Sequence, residues 1–278
     1  MVFLTLCVIV VMRIELPRIE MLGVMFQDDL DRCAAALSVA RRAHSAGDVD
    51  LHWIGSMQDA REVQDAAFDY LGGTPVGYTI AATTDTTSRL LNCSEPIVGR
   101  LIEDYVYDSG STIRLPYGTI GVGAQFVFVI GAPVRWPVNL RSVSDSIISC
   151  RMGLQVLGRR AASDVPLNDR SATADFALDI ACVLGGSIED WDQVSLEAVE
   201  VSLRIGGNEL ATGHGTEIFG HPIRAVVALA QSLQARGVSL QAGDTIATGS
   251  CTGLTQVVPG QAVEAVFHRC GGIHAYFV

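Results

Sequence analysis

At Gly72-Gly73 the spacing of apolar residues changes, and this change constrains the fold more than any other feature of the sequence. Before it, Leu30, Ala34, Leu37 and Ala40 recur at helical spacing across residues 28–43, and Ser56-x-x-Asp59 reads as a capping box opening a second helix that reaches Leu71. After it come short β-like runs at 76–81, 125–130, 196–205, 245–248, 262–268 and 273–278, separated by glycine turns. Gly206-Gly207-Asn208 and Cys270-Gly271-Gly272 each lie between two such stretches and read as hairpin turns. Two further helices are predicted inside the β region. One covers 142–157; the other starts with Pro222 in its first turn, presents Ala225, Val226, Leu229 and Leu233 on one face and stops before Gly237. The expected class is α+β, with a body that is mostly sheet.

The chain has 278 residues, 49% hydrophobic and 18% charged, which is enough apolar side chain for one large buried core. Its net charge of −11 repels phosphate backbones and anionic lipid surfaces, so neither nucleic acid nor membrane is an expected partner. All 19 basic residues are arginine. That excludes a lysine Schiff base, a pyridoxal phosphate anchor and a P-loop lysine, because each needs an amine that can lose its proton or a compact ammonium. The 7 cysteines stand singly with no C-x-x-C pair, which argues against a disulfide or zinc framework and for a reducing, cytoplasmic setting. Residues 1–12 are apolar but too short to span a bilayer as a helix, and they lack the basic flank and cleavage site of a signal peptide. An edge strand, or a strip that packs on a partner subunit, is the expected role.

Four motifs appear in a characteristic order: Ser94-Glu95-Pro96-Ile97-Val98-Gly99-Arg100-Leu101, Gly220-His221-Pro222-Ile223-Arg224-Ala225, Gly243-Asp244-Thr245-Ile246-Ala247-Thr248-Gly249-Ser250 and Val258-Pro259-Gly260. In these the chain resembles the 2-keto-4-pentenoate hydratase and 4-oxalocrotonate decarboxylase group of the fumarylacetoacetate hydrolase superfamily, from about residue 50 to the C-terminus. The resemblance implies a mixed β-roll or distorted barrel with outer helices, divided into an apolar extension (1–22), a small helical lobe (23–74) and a β-roll core (75–278). It also implies assembly as a homo-oligomer, and a Mg²⁺ or Mn²⁺ held by three carboxylates that binds a 2-keto acid and stabilises its enolate.

Those carboxylates are replaced here. The family's Glu-x-Glu falls on Gly123 and Gln125, its third glutamate on Gln155, and the lysine of its Gly-Tyr-Lys-Ile-Gly loop on Thr79. Two carboxamides and a glycine offer no formal charge to offset dehydration of a divalent cation, so no metal and no other cofactor is expected. The remaining candidates are substrate-binding groups at Thr79, Arg100, Gln125, Gln155, Thr248 and Ser250, and proton-transfer groups at Asp175, His214 and Glu217. For each there is a purely structural alternative: a helix cap for His221, a solvated turn for His214 and Glu217, a buried hydrogen-bond hub for Asp175, an ion pair with Asp104 for Arg100, and a packed small residue for Cys251. Together they lead to a metal-independent lyase, isomerase or cyclase acting on a keto-enol or conjugated carbonyl substrate, in a specialised biosynthetic pathway. The alternatives are a non-catalytic subunit of a related enzyme, and a metal-dependent hydratase whose ligands have moved to Glu217 or Asp175.

Overall fold

In the computed structural model residues 18–45 and 48–278 are described, so the apolar run at 1–12 lies outside the described residues. Helices α1 (Arg18–Ala43) and α2 (Met57–Leu71) come first. α2 begins where the sequence places it: the Ser56 hydroxyl accepts the Asp59 amide at 3.1 Å, and the Asp59 carboxylate accepts the Ser56 amide at 2.9 Å. Its Ala60, Val63, Ala67, Phe68 and Leu71 pack with Leu30, Ala34 and Leu37 of α1 in one apolar cluster.

Beyond Gly72 the chain is mainly sheet. β1 (Pro75–Ala81), β2 (Ile97–Ile102), β3 (Val106–Asp108), β5 (Thr119–Ile130), β6 (Ile147–Gly158), β7 (Asp179–Ser187) and β10 (Thr245–Ser250) form a seven-stranded sheet in the order β2-β1-β10-β5-β6-β7-β3. β4 (Thr112–Ile113), β8 (Glu200–Ile205), β9 (Asn208–His214), β11 (Ala262–Phe267) and β12 (Gly271–Phe277) form a second, in the order β4-β12-β11-β8-β9. Phe126 and Phe267 meet edge to face with centroids 5.3 Å apart, so the sheets share one core. Helix α6 (Ile223–Gln234) adds Ala225, Val226, Leu229 and Leu233 to it, while α3 (Asp85–Leu90), α4 (Leu140–Ser144) and α5 (Asp169–Ala174) are short.

The larger sheet curls into a half-barrel. Gln155 of β6 donates to the Thr79 hydroxyl of β1 at 3.2 Å although β5 and β10 lie between their strands. Three strand spacings in a flat sheet would separate the strands by about 14 Å, so the concave face must close on itself. The α+β half-barrel with outer helices is the class that the sequence implied.

The helix predicted over 142–157 is corrected by the structure. Asn139 caps only the five residues of α4, and from Ile147 the chain is β6, flanked by β5 on one side and β7 on the other. A central strand buried on both faces lacks apolar–polar alternation, and its near-continuous apolar run was open to a helical reading. The run at 196–205 is likewise shorter as a strand, since Leu196–Ala198 is a 3₁₀ turn that precedes β8.

A charged cluster joins α1 to the half-barrel. Arg41 pairs with Asp179 at 2.8 Å and Arg160 with Asp175 at 2.9 Å, all four side chains at most 3% exposed. The Arg41 guanidinium also stacks 4.2 Å from the Tyr105 ring centroid. Between the two aspartates, Phe176, Ala177 and Leu178 take positive φ of 53°, 55° and 61°, a tight left-handed turn that sets both carboxylates against the arginines.

Candidate functional site

Strand pairing gathers the replaced positions on one face of the half-barrel. Gln155 lies opposite Gly123, Gln125 is two residues on from Gly123, and Ser250 lies opposite Gln125. Residues two apart on a strand, and residues opposite across antiparallel strands, share a face. The curl then brings Thr79 to Gln155, so the structure collects Thr79, Gln125, Gln155 and Ser250, all at most 2% exposed, while Thr248 is buried beside them, next to Ala247, the register partner of Thr79.

These side chains are engaged with one another and with the backbone. The Gln125 carbonyl accepts the Gly249 amide at 3.1 Å, and its amide nitrogen donates to the Cys182 sulfur at 3.6 Å. Gln155 donates to the Ile80 carbonyl at 2.9 Å as well as to Thr79. Thr248 donates to the Phe126 carbonyl at 2.9 Å, and Ser250 donates to the Gly253 carbonyl. The loop 249–253 is pinned over the strands by the Cys251 amide on Ala124 O at 2.8 Å and the Ala124 amide on the Thr252 hydroxyl at 3.0 Å. It starts and ends at glycines with φ of 85° and 71°, conformations that residues with a Cβ adopt only under strain.

One polar group here was missed from the sequence. Thr83, 1% exposed, has a hydroxyl with no hydrogen-bond partner among the described residues, and that oxygen lies 2.4 Å from where a Cβ on Gly249 would sit. A buried unpaired hydroxyl costs about 1–3 kcal/mol and marks a place where a partner belongs. The available signal was Ala81-Ala82-Thr83-Thr84 directly after the first predicted strand, where Thr84 caps α3 and leaves its neighbour facing the loop.

The three-carboxylate metal of the resembling family does not fit this face. A Cβ at Gly123 would lie 2.0 Å from Ser250 Oγ and 2.2 Å from Gly253 O, so the loop occupies the space that a glutamate there would need. The other two positions present neutral amides already engaged with protein groups. Among the described residues no three His, Cys, Asp or Glu side chains are arranged to hold an ion.

The proton-transfer candidates are distributed differently. Asp175 is fully buried; besides Arg160 it accepts the backbone amides of Arg160 and Ala161. His214 and Glu217 are exposed, at the end of β9 and in the turn Gly215–Glu217. The end of β9, just before that turn, abuts the loop: a Cβ on Gly213 would lie 1.9 Å from Cys251 O. Burial pushes the Cys251 thiol up to about 12 and its hydrogen goes to Ala124 O at 3.2 Å, so Cys251 is a packed residue, not a nucleophile. His221 Nδ1 accepts the Ile223 amide at 3.1 Å, the capping role, with Nε2 3.4 Å from Glu197. Arg100 points to the opposite face of β1–β2 and pairs with Asp65 at 2.9 Å; the alternative pairing with Asp104 is not formed.

The sequence and fold can be set beside known proteins. Residues 58–277 match the family model for the fumarylacetoacetate (FAA) hydrolase C-terminal domain. The chain is 32% identical over 211 residues to a 4-oxalocrotonate decarboxylase of Pseudomonas putida, covering 74% of this chain and 79% of the relative. It is 28% identical over 210 residues to a 2-keto-4-pentenoate hydratase of Paraburkholderia xenovorans (strain LB400), covering 74% and 77%. The solved structure of a 4-oxalocrotonate decarboxylase from Pseudomonas putida G7, complexed with magnesium and adipate, superposes with a TM-score of 0.81 at 24% identity over 91% of this chain and 98% of that one. The family model spans most of the chain, and the relatives and the solved structure agree with it: the chain belongs to the fumarylacetoacetate hydrolase family, within the 2-keto-4-pentenoate hydratase and 4-oxalocrotonate decarboxylase group.

Proposed function

We propose that this chain is a metal-independent enzyme of hydratase and decarboxylase ancestry that acts on a keto-enol or conjugated carbonyl substrate as a lyase, isomerase or cyclase. The relatives named above are a hydratase and a decarboxylase. The observation that carries the reading is the Thr83 hydroxyl, unpaired among the described residues, packed beside Gly249, whose amide donates to Gln125. When the loop 249–253 lifts, Gly249 N–H parts from Gln125, and two donors converge on one point where a carbonyl oxygen can accept both. Lifting breaks a few neutral hydrogen bonds, each worth about 0.5–1.5 kcal/mol net, a cost that substrate binding can offset. Gln155 and Thr79 hold the opposite wall.

Neutral donors stabilise an enolate less than a divalent cation does, so the substrate is already activated, as a β-dicarbonyl or an extended conjugated ketone is. His214, at the end of the strand that abuts the loop, and Glu217, in the turn after it, move the proton as the loop opens. Asp175 is assigned to holding Arg160. The chain acts as a homo-oligomer in the cytoplasm.

The test is turnover of 2-hydroxypenta-2,4-dienoate and of β-dicarbonyl acids by purified protein in excess chelator, followed by loss of the conjugated absorbance. Chelator-resistant turnover that falls about 10- to 1000-fold in Thr83→Val and Gln155→Ala is the expected result, the range for losing an oxyanion donor. Activity that appears only on addition of Mg²⁺ or Mn²⁺ would overturn metal independence. Absence of turnover under both conditions favours a second reading, a non-catalytic subunit that stabilises a related enzyme. That reading is supported by the packing of the loop over Gly123 and by the engagement of the Gln125 amide and the Gln155 amide nitrogen with protein groups.

A further inference from the structure

The convex side of β1–β2 carries a cleft of about 260 Å³ that the reading above does not use. Tyr78 and Arg100 are cross-strand partners and share this side, whereas Thr79 faces the half-barrel interior. α2 supplies Asp65, the end of α6 supplies Leu233, the turn after it supplies Arg236, and Asp244 stands just before β10. Val98, Leu233 and Val238 make the apolar part of the wall.

Its charges are unevenly matched. Asp65 Oδ1 accepts from Arg100 at 2.9 Å, and Oδ2 accepts from Arg236 at 3.5 Å, so one carboxylate serves two guanidiniums. Neither arginine has another hydrogen-bond acceptor among the described residues, although each carries five N–H donors. Asp244 forms no ion pair with either; its Oδ2 accepts the Gln241 amide at 2.7 Å, and burial raises its carboxyl above the usual range. The Tyr78 phenol lies within the field of all four charges.

We infer that this cleft binds a small hydroxycarboxylate. Its carboxylate lies between Arg100 and Arg236, the planar fork geometry that guanidinium groups recognise. Its hydroxyl donates to Asp244, Tyr78 stands between the two ends, and a short apolar chain contacts Val98, Leu233 and Val238. The volume lies just under the ~300–1,000 Å³ usual for drug-sized ligands, which selects a molecule of a few carbons. Asp65 is shared by both guanidiniums and Asp244 pairs with neither, so a single carboxylate finds free N–H donors on the arginines, whereas a phosphate dianion brings more negative charge beside the two aspartates.

The experiment uses the full chain and 2-hydroxybutanoate as probe, measured by ligand-observed NMR, with butanoate and inorganic phosphate as competitors. Saturable binding in about the millimolar range is expected for so small a ligand. Arg236→Gln should weaken it about tenfold or more, and Arg236→Lys should restore it only in part. Asp65→Asn should tighten it several-fold, because the competing carboxylate is removed while both arginines remain; a merely structural Asp65 predicts the reverse. Asp244→Asn should narrow the preference for 2-hydroxybutanoate over butanoate. No saturable binding to wild type and to Asp65→Asn alike, or equal affinity in Arg236→Gln, would overturn the inference. Displacement by phosphate more effective than by butanoate would replace the hydroxycarboxylate with a phosphorylated ligand.

Discussion

Two buried polar clusters lie in the same half-barrel and are built on opposite principles. The cluster at Gln125, Gln155, Thr79 and Ser250 is neutral, and most of its hydrogen bonds end on backbone groups. The cluster at Arg41, Arg160, Asp175 and Asp179 is ionic, and burial opposes the charged form on both sides of one pair, lowering Arg41 and raising Asp179. Arg41 Nε and Nη1 and Asp179 Oδ1 have no hydrogen-bond partner among the described residues. A neutral cluster can exchange groups one at a time at modest cost, whereas a buried ion pair fails as a unit, because removing one charge strands the other.

The comparison is broken most directly at Asp175. Asp175→Asn should cost about 3–5 kcal/mol in urea unfolding, the range for stranding a buried arginine. A loss below about 1 kcal/mol would show that the two clusters do not differ in kind.

Next in size is Gly123→Glu, whose Cβ meets Ser250 Oγ at 2.0 Å and must displace the loop. Overpacking of this sort should cost about 1–3 kcal/mol by the same measurement. Restoring all three carboxylates, with Gln125→Glu and Gln155→Glu added, should make melting respond to Mn²⁺, by about 2.7 kcal/mol of stabilisation at a hundred times the dissociation constant. Unchanged melting at millimolar Mn²⁺ would mean that these positions are not the former ligands.

Gln155→Ala sharpens the contrast. It leaves the Thr79 hydroxyl and Ile80 carbonyl without their donor, and should cost about 1–2 kcal/mol, well below the Asp175 variant. Equal losses would erase the distinction between the clusters.

The smallest effect lies outside both clusters, at His221. Burial lowers its pKa from 6.5, and Nδ1 is held as an acceptor by the Ile223 amide. The folded chain therefore binds fewer protons than the unfolded one, so stability is full above about pH 6.5 and declines as pH falls toward the lower folded value. Glu197 near Nε2 limits the loss. His221→Asn, which keeps a capping acceptor, should flatten this part of the stability–pH curve; an unchanged slope would assign it to another group.

Local chemistry was legible wherever it is short in range. The capping box of α2, the Pro222 start of α6 and the glycine hairpins are set by residues within a few positions of one another, and they form as read. β6 was not legible, because a strand between two others hides its faces from a periodicity test. Arg100 shows the same limit at a single residue: Asp104 is near in sequence, but on a strand the side chain follows its face of the sheet and meets Asp65 from another element.

By itself the sequence determined the family, the curled α+β body, and the absence of carboxylates at positions 123, 125 and 155, since motif order and residue identity need no coordinates. Only the tertiary structure decided what became of that face. What Gln125 and Gln155 bond to depends on where Gly249, Ile80 and Cys182 fall, and these come from three other strands. The same holds for the unpaired Thr83 and for the arginines sharing Asp65, because the presence or absence of a hydrogen-bond partner belongs to the packed chain and is not encoded at any one position.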